Sequence, residues 1–402
     1  MTTVGGPDCA SLESLTDFDD YVRRLRRETQ FEEALLEKCR VTICSAIWGD
    51  DNPDISGIGV SIGYAIEVGL GLLLAIFVLT IRQRKGPRWE FCQLMAQAGF
   101  DAFFQSAVYF AISLEIASIY MLVHKDYGIS TDGLGASEAQ IILAVSVVCV
   151  LPVLYPVALL PTRLHHANSE VDKKAPDRPP KKTTEPRNVR FTLFSLLAVL
   201  FFYPFLSQCI HNWAPSRVGE GNGPAGETLA THNEWAKVDA MCFREVEVLS
   251  YNELWVLAIF EIIASIVIFL FAIWLLIGAG ARTLLAQDRA FGEERRLTVV
   301  LLKIQGIEGV WKRNLWLQVV MLLVPTILAG PLLWCIFRLR GMHSVALKGL
   351  ELEYTGNEWG FGQVVGIIIF APVVIDMGFA AWAARSLLAV GGQIVWSMRA
   401  LP

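Results

Sequence analysis

Seven long apolar blocks dominate the chain, and no other feature restricts its fold as tightly. They run roughly over 58–81, 98–124, 138–161, 191–210, 253–280, 316–338 and 362–386. At about 1.5 Å of rise per residue, ~20 helical residues cross the ~30 Å hydrocarbon layer, and every block reaches that length. Inside a bilayer the backbone finds no water, so a spanning segment must satisfy its own amide groups; a helix does this and an open strand does not. The expected fold is therefore all-α, a polytopic membrane helix bundle of about seven transmembrane helices. Pro152 and Pro156 fall in the third block, Pro325 and Pro331 in the sixth, and Pro204 interrupts the outer end of the fourth. Each removes a backbone donor and is expected to bend its helix.

Charge sets the orientation. Arg82, Arg84, Lys85 and Arg88 follow the first block. The stretch 162–190 holds eight Lys and Arg residues, from Arg163 to Arg190, and 282–315 holds seven, from Arg282 to Arg313. The alternate loops are poor in Lys and Arg. The positive-inside rule then places the N-terminus on the lumenal side and the C-terminus in the cytosol. This divides the chain into a lumenal N-terminal segment (1–57), a transmembrane bundle (58–390) that contains a disordered basic cytosolic loop at 162–190, and a cytosolic tail (391–402). The first residues carry no basic stretch followed by an apolar run, so the first block is expected to act as the targeting signal. An endomembrane such as the endoplasmic reticulum is the expected location. The net charge of −5 is modest, and the basic residues lie in loops where membrane topology explains them, so no nucleic-acid partner is expected. The expected partners are the lipid bilayer and a hydrophobic small molecule.

Residues 16–42 read as an amphipathic helix, with Thr16 or Asp17 as its cap and Phe18, Val22 and Leu25 at helical spacing. It is expected to lie on the membrane surface, to cap the bundle, or simply to be solvated. Of eight cysteines, Cys9, Cys39, Cys44 and Cys242 fall on the lumenal side, where disulfides persist. Cys39 or Cys44 could tie the N-terminal segment to Cys242. No Cys/His spacing resembles a zinc site, and neither metal nor cofactor is expected.

Four carboxylates interrupt the apolar blocks: Glu67, Glu115, Glu261 and Asp376. A charge at the bilayer centre costs about 2.5–3.5 kcal/mol on insertion scales, so such residues are rare and face a partner or a cavity. Counting along each helix puts Glu67, Glu115 and Glu261 about 12–13 Å below the lumenal surface and Asp376 near the midplane, ~20 Å deep. Three acids at one level point to one polar cavity, with Asp376 beneath it. A buried carboxyl that is held neutral is a competent general acid. Around these positions lie Tyr64, Phe103, Phe104, Tyr109, Phe110, Trp255, Phe260, Phe370 and Trp382. Ring faces attract cations, so an acid beside an aromatic wall could generate and guide a carbocation. Membrane acids also serve as interhelical hydrogen-bond glue, and aromatics as plain core.

The sharpest local signature is GDDNPDISGIGVSIG, 49–63. Asp54 is expected to cap the first helix, Pro53 to open it, and Gly59 with Gly63 to form a small-xxx-small packing face. Asp50, Asp51 and Asn52 are candidates for the rim of the cavity. At NPDISGIGV and the long apolar helix after it, the chain resembles a group of filamentous-fungal multi-pass membrane proteins. It is also similar in kind to the membrane-bound terpene cyclases of fungal meroterpenoid pathways, which carry transmembrane acids. That resemblance implies a metal-independent isomerase in secondary-metabolite biosynthesis, which protonates an epoxidised prenyl chain and closes rings. Glu115 and Glu261 are the foremost candidates for the acid, followed by Glu67, with Asp376 as the base. The competing readings are a seven-helix receptor, a proton-coupled transporter or channel, and a structural membrane protein. Against the first, the third block ends in LLPTRLHH without a DRY-like triplet. Against the second, seven helices do not divide into equal repeats.

Overall fold

The computed structural model describes residues 7–124 apart from 16, 50, 51, 83 and 85, then 135–159, 185–213, 230–291 apart from 245 and 248, and 314–383. Among the described residues the structure is helical, without a strand. Four short helices come first: α1 (Ala10–Glu13), α2 (Phe18–Thr29), α3 (Glu33–Lys38) and α4 (Arg40–Trp48). A single turn, α5 (Pro53–Ser56), leads into α6 (Ile58–Arg82) and α7 (Pro87–His124). Helix α8 (Ala136–Val150) continues through a 3₁₀ turn (Leu151–Val153) into α9 (Leu154–Leu159). Then come α10 (Glu185–Trp213), α11 (His232–Cys242), α12 (Tyr251–Phe291), α13 (Leu315–Gly349), α14 (Phe361–Ile368) and α15, residues 371–383.

Seven of these segments are long and apolar enough to cross a membrane, as the sequence predicts. The first begins at Pro53 rather than at 58, because α5 extends it by a turn. The third, Glu138–Leu159, is 94% buried within the protein, against 17–50% for the other six. It is the central post of the bundle, and α6, α7, α10, α12 and α13 all pack on it. Its side chains explain this. Ile, Val, Leu and Ala fill most positions from 139 to 154, with only Gln140, Ser146, Cys149 and Pro152 between them, so it is apolar on nearly all sides. The lipid-facing helices instead expose one stripe, such as Leu196, Val199 and Phe202 on α10.

Proline acts less uniformly than expected. Pro152 opens the 3₁₀ turn that separates α8 from α9. Pro204, by contrast, sits inside α10, which runs on to Trp213, and Pro325 and Pro331 sit inside an unbroken α13. Helix α10 also begins at Glu185, so the C-terminal end of the expected disordered loop is helical; the rest of that loop lies outside the described residues. This places Arg190 2.7 Å from Asp101, a pairing that holds Asp101 against α10 instead of leaving it to the lipid headgroups.

The N-terminal helices form a cap. Asp17 is the N-cap of α2 and accepts from the Asp20 amide at 2.9 Å. Phe18, Tyr21, Val22 and Leu25 are almost wholly buried, so the amphipathic helix packs on protein rather than lying on lipid. Phe18 meets Trp235 of α11 edge-on at 5.5 Å. Two disulfides fasten the cap: Cys9–Cys39 within it, and Cys44–Cys242 between α4 and α11. Cys44 is thus the residue that reaches Cys242. The other four cysteines, Cys92, Cys149, Cys209 and Cys335, are free thiols. The C-terminal part of long α13 reaches this cap, where His343 stacks on Trp48 at 6.0 Å.

Candidate intramembrane acid site

The NPDISGIGV stretch builds one wall of the interior. Asn52, not Asp54, caps the opening turn: its side chain accepts from the Asp54 amide at 3.0 Å, with Pro53 at the first helical position. Pro53 leaves the Asp54 amide as an early orphan donor, and Asn52 is the nearest side chain able to meet it. Tyr64 donates to the Ile55 carbonyl at 2.8 Å and locks α5 onto α6. Gly59 and Gly63 then let α14 approach backbone to backbone. The Gly59 amide donates to Gln363 Oε1 at 2.9 Å, and a Cβ at Gly63 would stand 2.7 Å from the Gly366 carbonyl oxygen. Asp50 and Asp51 lie outside the described residues.

This close approach positions the candidate site. Glu67 lies one turn beyond Gly63 on α6, and Phe370 one turn beyond Gly366. Gly71, a further turn along α6, leaves room for the rings of Phe103 and Tyr155, which a Cβ there would meet at 2.7 and 3.0 Å. Glu67 is wholly buried, and neither carboxyl oxygen has a hydrogen-bond partner among the described residues. Glu115 of α7 is also wholly buried. The Cys149 thiol of α8 donates to Glu115 Oε1 at 3.6 Å, while Glu115 Oε2 has no partner among the described residues. Cys149 lies within electrostatic reach of both Glu115 and Glu67, and Tyr64 within reach of Glu67 and Cys149. Ser118, one turn from Glu115, is buried, and its hydroxyl has no hydrogen-bond partner among the described residues. The structure therefore joins Glu115 to Cys149 by a direct contact and places Glu67 and Tyr64 within electrostatic reach of that thiol, a loose polar group at α6–α7–α8.

A run of rings leads away from that group. Tyr64 packs against Phe110 with centroids 5.8 Å apart, Phe110 against Phe370 at 5.8 Å, Phe370 against Phe103 at 6.1 Å and Phe103 against Phe100 at 6.4 Å. All five residues are buried. Of the other candidate aromatics, Phe104 is buried, Phe260 is half-buried, and Tyr109, Trp255 and Trp382 are exposed, as lipid-facing or interfacial residues are.

Glu261 does not join this group. It too is wholly buried, but Gln208 of α10 donates to its Oε2 at 2.5 Å. Ser265 donates to the Glu261 carbonyl at 2.8 Å and approaches Gln208 Oε1 at 3.4 Å. Glu261 lies within electrostatic reach of Cys335 on α13. The single cavity expected for three acids is thus two polar groups. One sits at α6–α7–α8 and one at α10–α12–α13. Asp376 is exposed on α15 and stands beneath neither. Equal depth along separate helices fixes height but not azimuth, and azimuth depends on which faces pack. Cys149, Gln208 and Ser118 escape a search for acids because thiols, amides and hydroxyls are unremarkable in membrane helices. Gln208 does leave a trace, as the one amide in the apolar run FFYPFLSQC.

Among the described residues no three His, Cys, Asp or Glu converge as metal ligands would. No family model, curated protein or solved structure matches the chain.

Proposed function

We propose that this membrane protein is a metal-independent cyclase acting on an epoxidised prenyl chain, with Glu67 and Glu115 as its acid–base pair. One observation carries the reading: two wholly buried carboxyls, Glu67 with neither oxygen partnered and Glu115 with its Oε2 unpartnered among the described residues, lie on the two helices, α6 and α7, that carry most of a series of buried rings. An unmet buried polar atom costs about 1–3 kcal/mol, so each calls for an explanation, and a guest or a transferable proton is one. The free Oε2 of Glu115, as a carboxylic acid, delivers its proton to the epoxide oxygen. The C–O bond to the tertiary carbon breaks, and an alkene π pair closes the ring on the resulting cation. The ring faces of Tyr64, Phe110 and Phe370 attract that cation as it moves. Glu67 takes the final proton on its carbonyl oxygen as its own proton passes, through Cys149 or water, to the Glu115 carboxylate left by the first transfer, which restores the pair. The reaction is an isomerisation and consumes no co-reactant. An aromatic or polyketide headgroup fits the interfacial end of such a substrate.

The test is expression in microsomes with an epoxy-prenyl phenol as substrate. Wild type should give cyclised product. Glu115→Gln should lower turnover by about 10²–10⁴-fold with the protein still folded in the membrane, because the amide keeps the shape but delivers no proton. Unchanged turnover in both Glu115→Gln and Glu67→Gln would remove these residues from the mechanism, and an inert wild type would overturn the cyclase reading. A second reading, proton-coupled transport, draws on the separate Glu261–Gln208–Ser265 group, which the ring series does not reach. Substrate-dependent proton uptake by proteoliposomes, lost in Glu261→Gln, would favour it.

A further inference from the structure

The end of the bundle remote from the disulfide-fastened cap carries a groove of about 630 Å³ between α6 and α13. Its lining has a direction. Thr80 and Ile76 lie four residues apart on one face of α6, and Arg84 stands in the turn just after that helix ends at Arg82, its amide donating to the Ile81 carbonyl at 2.9 Å, so this wall runs from charged through polar to apolar. On α13, Leu315, Val319 and Leu322 supply an apolar opposite wall. No carboxylate lines the groove, and among the described residues none lies within ion-pair distance of Arg84.

The depth of the groove is marked independently. Its two helices meet the membrane boundary here, since one apolar span ends at Arg82 and another starts at Leu315. Trp89 and Trp316 are both exposed beside it, and exposed tryptophans favour the headgroup level. The Arg84 guanidinium lies 5.6 Å from the Trp89 ring centroid, so it is held at that level. Gln93 of α7 steadies the turn by donating to the carbonyls of Ile81 and Arg84 at 3.2 and 3.3 Å. A fixed cation at the interface, with an apolar trough running inward from it, matches the polarity of an anionic phospholipid in sign, order and depth.

We propose that this groove is a binding site for an anionic membrane phospholipid, with the headgroup phosphate on Arg84 and an acyl chain along Ile76, Val319 and Leu322. The site is distinct from the acid groups and does not rest on the cyclase reading. Arg84 supplies the charge selection, Thr80 faces the glycerol region, and the α13 wall takes the chain.

The probe is a short-chain phosphatidylserine titrated into the detergent-purified full chain, with phosphatidylcholine of equal chain length and inorganic phosphate in parallel. Binding is read as a rise in melting temperature, since a ligand that binds only the folded state stabilises it. Phosphatidylserine should raise it more than phosphatidylcholine, and phosphate should leave it unchanged. Arg84→Gln should weaken phosphatidylserine binding roughly fivefold, the effect of one basic residue at an anionic lipid surface. Thr80→Phe, which fills an exposed part of the groove, should weaken both lipids. Arg338→Gln, the same charge change at the opposite end, should alter neither. Equal response to the two lipids, full response to phosphate alone, or an unchanged affinity in both Arg84→Gln and Thr80→Phe would overturn the proposal.

Discussion

Glu234 shows what a single carboxylate contributes when it does have partners. It closes a capping box at the start of α11, accepting from the Thr231 amide at 2.8 Å and the Thr231 hydroxyl at 3.0 Å, and it also accepts from Arg26 at 3.0 Å. Partial desolvation pushes its pKa up, but the Thr231 bonds and the Arg26 charge outweigh this, and the net effect holds it below the usual carboxylate value. A depressed folded-state pKa means stability that is present above the unfolded value, near ~4.3, and lost as pH falls through the folded one. The protection of α11 amides, relative to their intrinsic exchange rate at each pH, should therefore fall on acidification below about pH 4.3, and Glu234→Gln should flatten that dependence. An identical acid profile in Glu234→Gln would show that the latch lies elsewhere. Glu67, Glu115 and Glu261 differ because no buried cation stands beside them among the described residues. Their identity as the interior acids is legible from sequence, since little else in an apolar block draws the eye. Which of them share a site is not, because a residue's company depends on helix rotation.

At the scale of the helix, glycine decides where elements touch. Gly63 and Gly69 lie on the same helix and read alike in sequence. A Cβ at Gly63 would press on the Gly366 backbone, whereas one at Gly69 would meet nothing within 4 Å. Gly63→Ala should destabilise the protein by about 1–3 kcal/mol, the range for overpacking against atoms that cannot yield. Gly69→Ala should be neutral or stabilising by up to ~1 kcal/mol through helix propensity. Thermal melts in detergent separate the two, and a similar shift for both would refute the backbone contact between α6 and α14. The small-xxx-small spacing marks Gly59 and Gly63 as a packing face, and α14 is indeed what packs there. The partner was hidden, because α14 lies some 300 residues away and its own Gly362 and Gly366 signal a face without naming its mate.

For the whole molecule, the Lys and Arg asymmetry of the sequence predicts one orientation, and a disulfide gives it a test. Cys44–Cys242 ties the cap to α11 on the side that the Lys and Arg asymmetry places in the lumen, where disulfides persist. A glycosylation acceptor inserted near residue 225 should be modified in microsomes and one near residue 180 should not, with the Cys44–Cys242 bond visible on non-reducing gels; modification at 180 would reverse the orientation. The number, length and apolar character of the spanning helices are local properties. Each follows from some twenty consecutive residues meeting hydrocarbon that cannot solvate their backbone, so the sequence alone determines them. Which helix stands at the centre is foreshadowed only by the nearly all-round apolar surface of Glu138–Leu159. Tertiary structure alone decides that Cys44 rather than Cys39 reaches Cys242, that Glu115 finds Cys149 while Glu261 turns to Gln208, and that Asp376 is exposed. These outcomes depend on the rotation of each helix about its axis. That rotation is set by contacts between residues far apart in the chain, which no local pattern records.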